Sequence, residues 1–192
     1  VKLLKFGLGL SLLLTSATSS ADSFQFLVGV DTGKSFAGGI EGTIYDNYII
    51  GAQANLDSTD SYNSGPYSHS TISDATYTQK RSAQYYTLYT GYRFTKSAVE
   101  GLAIKVGVTQ MRLTMSADVY GTENGDAASE ELYKINESKL LPFIGVGYPI
   151  AERLTLNVHA SFGGLEMITV DGQQESTGID ATNVSFLVGF RF

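Results

Sequence analysis

Residues Phe143–Phe162 read FIGVGYPIAERLTLNVHASF. Ile144, Val146 and Tyr148 share one face of the first run, and Leu154, Leu156, Val158, Ala160 and Phe162 share one face of the second. Gly145 and Gly147 fall between the first set, and Thr155, Asn157, His159 and Ser161 between the second. A period of two is the signature of a β-strand. Pro149–Glu152 is too short for anything but a tight turn. The stretch therefore predicts an antiparallel hairpin with one broad aliphatic face and one face of small or polar groups.

The same pattern recurs on both sides. Phe24–Gly33 places Phe24, Phe26, Val28 and Val30 against Gln25, Gly29 and Asp31. Gly38–Tyr45 and Tyr48–Leu56 alternate likewise, joined by Asp46-Asn47, a dipeptide of hairpin type. Ser82–Phe94, Gly101–Ala117, Lys139–Tyr148, Arg153–Leu165 and Ala181–Phe192 complete eight segments. In Gly101–Ala117 the apolar residues change parity after Gln110, from Ile104, Val106 and Val108 to Met111, Leu113 and Met115, which predicts a β-bulge. Pro142 donates no backbone bond, so a bulge or a rim position is expected there too. Three longer polar stretches, Asp57–Arg81, Asp118–Ser138 and Glu166–Asp180, read as loops. Short and long connections alternate, as in a transmembrane barrel with tight periplasmic turns and longer outer loops. The fold class expected is all-β: an eight-stranded antiparallel up-and-down transmembrane β-barrel, closed by pairing of the first segment with the last.

A soluble sandwich also alternates. Eight broad aliphatic faces, however, would leave it with too much apolar surface outside or too many polar groups within. The aromatics gather as well: Tyr45, Tyr48, Tyr92, Phe94, Tyr148, Phe190 and Phe192 all lie beside the short turns or the final residue. Amphipathic rings favour a membrane–water interface, so these seven are expected to form a periplasmic girdle.

The N-terminus has the pattern of an export signal. Lys2 and Lys5 precede the apolar run Phe6–Leu14, and Ser19 and Ala21 occupy the small-residue positions of a signal-peptidase site. The run is too short to be a membrane anchor, which needs ~20 apolar residues. Residues 1–21 are expected to be a signal peptide and residues 22–192 the barrel domain, reached by Sec-type export. The net charge of −6, with 13 Lys and Arg against 19 Asp and Glu, gives no basic patch for nucleic acid. Cys is absent, which excludes disulfides and thiolate metal sites. No cofactor is expected. Stability in such a chain is expected from a ladder that pairs every backbone group.

In Phe143–Phe162 and in Phe186–Phe192 (FLVGFRF) the chain resembles the small eight-stranded outer-membrane barrels of the OmpA/OmpX kind. Phe190 and Phe192 resemble the C-terminal signal read by the barrel assembly machinery, although Leu187 stands where that signal carries Gly. The resemblance implies a Gram-negative outer-membrane location, with membrane lipid and lipopolysaccharide as neighbours and the assembly machinery as partner during insertion. It implies no single activity, since such barrels serve as anchors, adhesins, lipid A enzymes and narrow channels.

Parity directs Asp31, Glu41, Arg93, Lys105, His159 and Arg191 into the lumen. An eight-stranded barrel has an interior just filled by side chains. Charges there must pair, because a lone buried charge is very costly. A plugging polar network is therefore expected, and a narrow ion or small-solute channel is the alternative. His159 and Ser161 share a face, with Glu166 nearby, and resemble the His-x-Ser pair of a lipid A deacylase. Parity puts them inside, and Phe162 stands where that family carries Asn, so a filling role is expected and no catalytic residue is assigned. The acidic residues Asp118, Glu123, Asp126, Glu130, Glu131 and Glu137, with Asp57, Asp60 and Asp74, make the outer loops anionic. Tyr62, Tyr67 and Tyr77 would suit contact with an extracellular ligand. No spacing matches a calcium loop. The function expected is a structural or surface-interaction role through those loops.

Overall fold

Strand-forming alternation covers nearly the whole sequence after residue 22, and the computed structural model, which describes residues 23–56, 60–96, 99–170 and 172–192, is built of strands and turns. The expected signal peptide, residues 1–21, lies outside the described residues, as does Asp57. The strands are β1 (Ser23–Asp31), β2 (Phe36–Ile44), β3 (Tyr48–Leu56), β4 (Asp60–Pro66), β5 (Ser73–Arg93), β6 (Ala103–Glu123), β7 (Asp126–Ala151), β8 (Leu154–Phe162), β9 (Met167–Val170), β10 (Gln173–Ser176) and β11 (Thr182–Arg191).

Eight of them close a ring. Each pairs antiparallel with its neighbours in the order β1, β2, β3, β5, β6, β7, β8, β11 and back to β1. The seam runs from Gln25↔Arg191 to Asp31↔Ser185, and the Phe192 amide donates to the Phe24 carbonyl at 2.8 Å. The chain is thus an eight-stranded up-and-down barrel in which no ring strand presents an open edge at mid-height.

The turns are tight. Tyr45 and Asp46 both have positive φ, 52° and 62°. The hairpin therefore bends at Tyr45–Asn47, one residue earlier than Asp46-Asn47, and Ile44 pairs with Tyr48. The left-handed region is costly for a bulky residue such as tyrosine. Asn47 holds this turn against its neighbour by donating from Nδ2 to the Arg93 carbonyl at 2.8 Å and to Thr95 Oγ1 at 3.0 Å.

The bulge expected after Gln110 does not occur. Register across β5 and β6 is continuous from Thr76↔Tyr120 to Arg93↔Ala103. Odd-numbered residues of β6 face inward throughout, from Ala103 through Lys105, Thr109, Met111, Leu113 and Met115 to Val119. The surroundings change, not the strand. Below Thr109 the outer face is apolar and the inner face polar; above it the outer face is polar (Arg112, Thr114, Ser116) and the inner face apolar. The break in register lies higher, between Ala117 and Asp118. Pro142 makes no bulge either. It pairs with Val108 and lies one residue past the last β7–β8 pair, Phe143↔Ser161, where β7 has lost one of its neighbours.

The three stretches expected to be loops are largely sheet. Residues 73–81 begin β5, and β4 adds to its edge. Asp118–Ser138 is a continuation of β6 and β7 around Asn124-Gly125, whose φ values of 53° and 90° suit a tight hairpin turn. The resulting extension of β4, β5, β6 and β7 reaches about 40 Å along β6 beyond Met111, at ~3.3 Å per residue. Its inner face carries Ala83, Tyr85, Met111, Leu113, Met115 and Leu141, joined by Ile168 from the β9–β10 hairpin, with Leu165 and Ile179 packed against them. The third stretch is therefore a cover on this core. Thr177 anchors it: its hydroxyl donates to the Leu165 carbonyl at 2.5 Å, and its own carbonyl accepts from Arg81 Nη1 at 2.8 Å. Burial of Ile168 should hold the cover shut. We expect Ile168→Ala to cost about 2–5 kcal/mol locally, and limited proteolysis to cut within residues 163–181 while the ring strands stay resistant; equal resistance in the variant would contradict this role.

Candidate functional site

The ring directs alternate side chains into a narrow lumen, and there the six inward charged or titratable residues meet different fates. Glu41, Lys105 and His159 are fully buried at its centre. Lys105 Nζ donates to Glu41 Oε2 at 2.5 Å and to Asn157 Oδ1 at 2.7 Å, and lies 3.3 Å from His159 Nε2. An ammonium has three protons, and all three have acceptors here. Glu41 also accepts from Gln25 Nε2 at 2.5 Å and from the Tyr89 hydroxyl at 3.2 Å. Arg93 approaches the same carboxylate at 3.7 Å. Burial of this ion pair is tolerable because both carboxylate oxygens and all three ammonium protons have partners.

From Lys105 a chain of bonds runs to the upper rim. His159 Nδ1 lies 2.6 Å from Gln53 Oε1, so the neutral ring donates there and accepts from Lys105 through Nε2. Gln53 Nε2 donates to Asn55 Oδ1 at 2.6 Å, and Asn55 Nδ2 donates to Asp31 Oδ2 at 2.7 Å. Each link donates toward Asp31, so the dipoles align between a cation and an anion and reinforce one another. Asp31 is held by amides: Asn55, Asn183 at 3.2 Å and the Ser35 backbone at 2.8 Å. Its expected pairing with an opposite charge is absent, because amide donors from β3, β11 and the β1–β2 turn saturate it first. Among the described residues Arg191 likewise pairs with no carboxylate, and its Nε and Nη2 are buried without a partner.

Sequence reasoning singled out the charges and missed the neutral members, Gln25, Gln53, Asn55, Tyr89 and Asn157. They share inward parity with the charged residues, which was the available signal. Glycines opposite them were a second. A Cβ on Gly51 would lie 2.3 Å from the Tyr89 ring, and one on Gly145 would lie 2.7 Å from His159 Cδ2. Both positions must lack a side chain for the network to form.

Above the network the lumen fills with rings and hydroxyls. Tyr89 stacks on Phe143 at 5.2 Å between centroids. Ser161 shares a 2.7 Å bond with Thr109, which bonds to Thr87 at 2.8 Å. His159 is thus engaged with Gln53 and Lys105, and Ser161 with a threonine; the two form no nucleophile–base pair. Among the described residues no three His, Asp or Glu side chains gather as metal ligands.

The outer face is the reverse. Phe26, Val28, Val30, Ile50, Leu88, Val106, Val108, Ile144, Val146, Leu156, Val158 and Phe186 all stand exposed around the ring. At the short-turn end Tyr45, Tyr48, Tyr92, Tyr148, Phe190 and Phe192 are exposed and Phe94 half-buried. Tyr48 and Tyr92 meet edge-on, as do Tyr92 and Phe94. Just above the apolar belt, Ser82, Gln84, Arg112, Thr114, Asn136 and Ser138 line a groove of about 390 Å³. Arg112 lies over the Tyr86 ring there, at 5.4 Å.

The ion pair at the centre yields a test. Lys105→Met leaves Glu41 buried without its cation, and we expect urea unfolding of the detergent-folded protein to show a loss of about 3–5 kcal/mol. The double variant Lys105→Met with Glu41→Gln should recover much of that loss; equal instability of both would show that the pair itself is not the stabilising element.

No family model matches the chain, and no curated protein matches it. Among solved structures it is similar to Acinetobacter baumannii CarO, at 13% identity and a TM-score of 0.49, over 88% of this chain and 97% of that one. It is also similar to the N-terminal β-barrel domain of Pseudomonas aeruginosa OprF, at 12% identity and 0.45, over 90% and 98%. The attachment invasion locus protein Ail of Yersinia pestis aligns at 9% identity and 0.43, over 88% and 95%. In fold, the ring of pairings makes this chain a small eight-stranded antiparallel up-and-down barrel.

Proposed function

We propose that the chain is an integral outer-membrane barrel whose lumen is closed and whose working surface is the sheet that rises above the membrane. The observation that carries this reading is the continuous apolar belt on the outside of a ring with a polar inside. On β7 the belt extends from Leu140 to Ile150. Ten residues of tilted strand span about 25 Å, the height of a barrel's lipid-facing band. A soluble monomer rarely exposes an apolar surface of that extent. Below the belt, the aromatic girdle would sit at the periplasmic interface, with Phe190 and Phe192 offered to the assembly machinery. Above it, the Arg112 groove suits the phosphorylated sugars of lipopolysaccharide.

The role is structural or interactive, with no reaction assigned. The stacked Tyr89 and Phe143, the polar network and the apolar upper core fill the lumen along its length, which supports a plug over a pore. The extension offers an anionic surface to an extracellular ligand. Lys80 and Asp118 pair on it at 3.1 Å, and hydrogen bonds to Tyr120 and then to Asp118 raise the Lys80 ammonium above its usual pKa. His69 Nδ1 accepts from the Thr71 and Ile72 amides, which puts a proton on Nε2, 3.4 Å from Glu130 Oε2.

A charge placed on two levels of one strand tests the membrane level. Val106→Arg lies in the belt, and we expect a loss of about 2–4 kcal/mol in refolding into lipid vesicles. Thr114→Arg, also outward on β6 but above the belt, should be nearly neutral. Equal effects at both positions would remove the case for a lipid-facing band. In planar bilayers the folded protein should give no steady single-channel conductance; a stable conductance would favour the channel reading instead.

A further inference from the structure

The upper sheet has two edges, and they are built differently. β4 forms one; it is short, bulged between Ser61 and Asn63, and ends at Pro66. Those are devices that blunt an edge strand. The other edge is β7. From Asp126 to Pro142 it pairs with β6 on one side, and among the described residues no strand pairs with its other side, since the β7–β8 ladder starts at Phe143. A long open edge is a template for a further strand. The charges along it select that strand. Asp126, Glu131, Lys134 and Lys139 are exposed, and among the described residues none of them is in an ion pair. The two carboxylates also face like charges in their own sheet: Asp126 lies opposite Glu123, and Glu131 opposite Asp118, whose cation is Lys80. Like charges directly opposite destabilise a sheet.

We propose that this edge pairs antiparallel with β7 of a second copy of the chain, standing in a facing membrane. Register carries the argument. Ala117 pairs with Tyr133 but Asp118 with Glu131, so the extra residue at Leu132 reverses the side-chain parity of β7. Asp126 and Glu130 therefore share the inner face with Glu137 and Lys139, and Glu131 shares the outer face with Lys134. A two-fold axis beside Leu132 sets Glu131 against Lys134 and Asp126 against Lys139, each pair twice and on matching faces. A slip of one side-chain repeat sets Asp126 against Glu137 in one direction, and Glu130 against Glu137 in the other. One register thus joins opposite charges, and its neighbours join like ones. The carboxylates that gain a lysine are the two that face a like charge in their own sheet.

Geometry selects the facing membrane. Copies in one membrane point the same way, so their edges meet only in parallel, with Glu131 beside Glu131. Antiparallel edges need tips that point at each other. In the complementary register the tops of the two apolar belts, at Leu140 of each copy, lie about 50 Å apart along the strands, at ~3.3 Å per residue. A contact of one strand pair is small, and its strength comes from many copies on each surface. The inference rests on the proposed outer-membrane placement and names a partner for the raised sheet.

Folded protein in phosphatidylcholine vesicles tests it, with flotation and turbidity as the readouts. Wild-type vesicles should cluster. Vesicles carrying Lys134→Glu alone, or Glu131→Lys alone, should stay dispersed. A mixture of those two populations should cluster again, because each variant supplies the charge that the other needs. The chain has no Cys, so Ser129→Cys and Asn136→Cys report the register. A short bis-maleimide should join these two across mixed vesicles and should join neither to itself. Protein that does not float with the vesicles overturns the membrane placement and the pairing together. Protein that floats but leaves wild-type vesicles dispersed overturns the pairing alone, and leaves the edge to a strand of another protein. Clustering that survives in Lys134→Glu overturns it too, as does a cross-link of either cysteine variant to itself, the product of parallel pairing in one membrane.

Discussion

A ring of eight strands leaves room inside for side chains and for little else, and much of this molecule follows from that limit. Antiparallel pairing around the full circle satisfies the backbone in the ring. Closure then forces every second residue of every strand into a shared space of fixed width. Large polar groups enter that space only where a glycine opposes them, as Gly51 does for Tyr89 and Gly145 for His159. At the centre, charged groups enter beside ready partners, as Asn157 and Glu41 are for Lys105. The interior is therefore packed solid, its glycines, amides and charges set beside apolar side chains such as Leu27, Ile49 and Leu187.

The second organising fact is that the wall exchanges its apolar and polar faces without changing its geometry. Along β6 the inward residues run from Lys105 through Thr109 to Met111, Leu113 and Met115 in unbroken register. Where the outside is greasy the inside is polar. Where the outside is wet the inside is apolar, and it gains a cover from the β9–β10 hairpin. One strand thus belongs to two kinds of folding problem, and the boundary between them lies at about Gln110.

That boundary explains what could be read from the sequence and what could not. The ring strands were legible because their outward residues are consistently aliphatic; Phe26, Val28 and Val30 leave little choice of face. The inward positions of Asp31, Glu41, Arg93, Lys105, His159 and Arg191 followed from the same parity. The upper sheet was illegible because its outer face is polar and its inner face is sparsely apolar, so Thr76–Arg81 and Asp118–Ser138 have the composition of loops. Two signals were present. Met111, Leu113 and Met115 mark a change of solvent that sequence reasoning took for a bulge, and Asn124-Gly125 marks a hairpin turn. Partner choice inside the lumen could not be read at all. Asp31 meets amides and Glu41 meets Lys105 because of register between distant strands, which no local pattern encodes.

The extension has a mechanical meaning. β5, β6 and β7 run from the short-turn end to the tip at Asn124-Gly125 without a break in the β5–β6 ladder between Thr76 and Arg93. A pull on that tip along the strand direction loads the cross-strand bonds sideways and all together, since they lie perpendicular to the strands. The same pull on a flexible loop would straighten the loop first and then peel its bonds one at a time. Force applied far above the ring therefore arrives in the barrel wall as shear, and the stalk behaves as a stiff lever set in the wall.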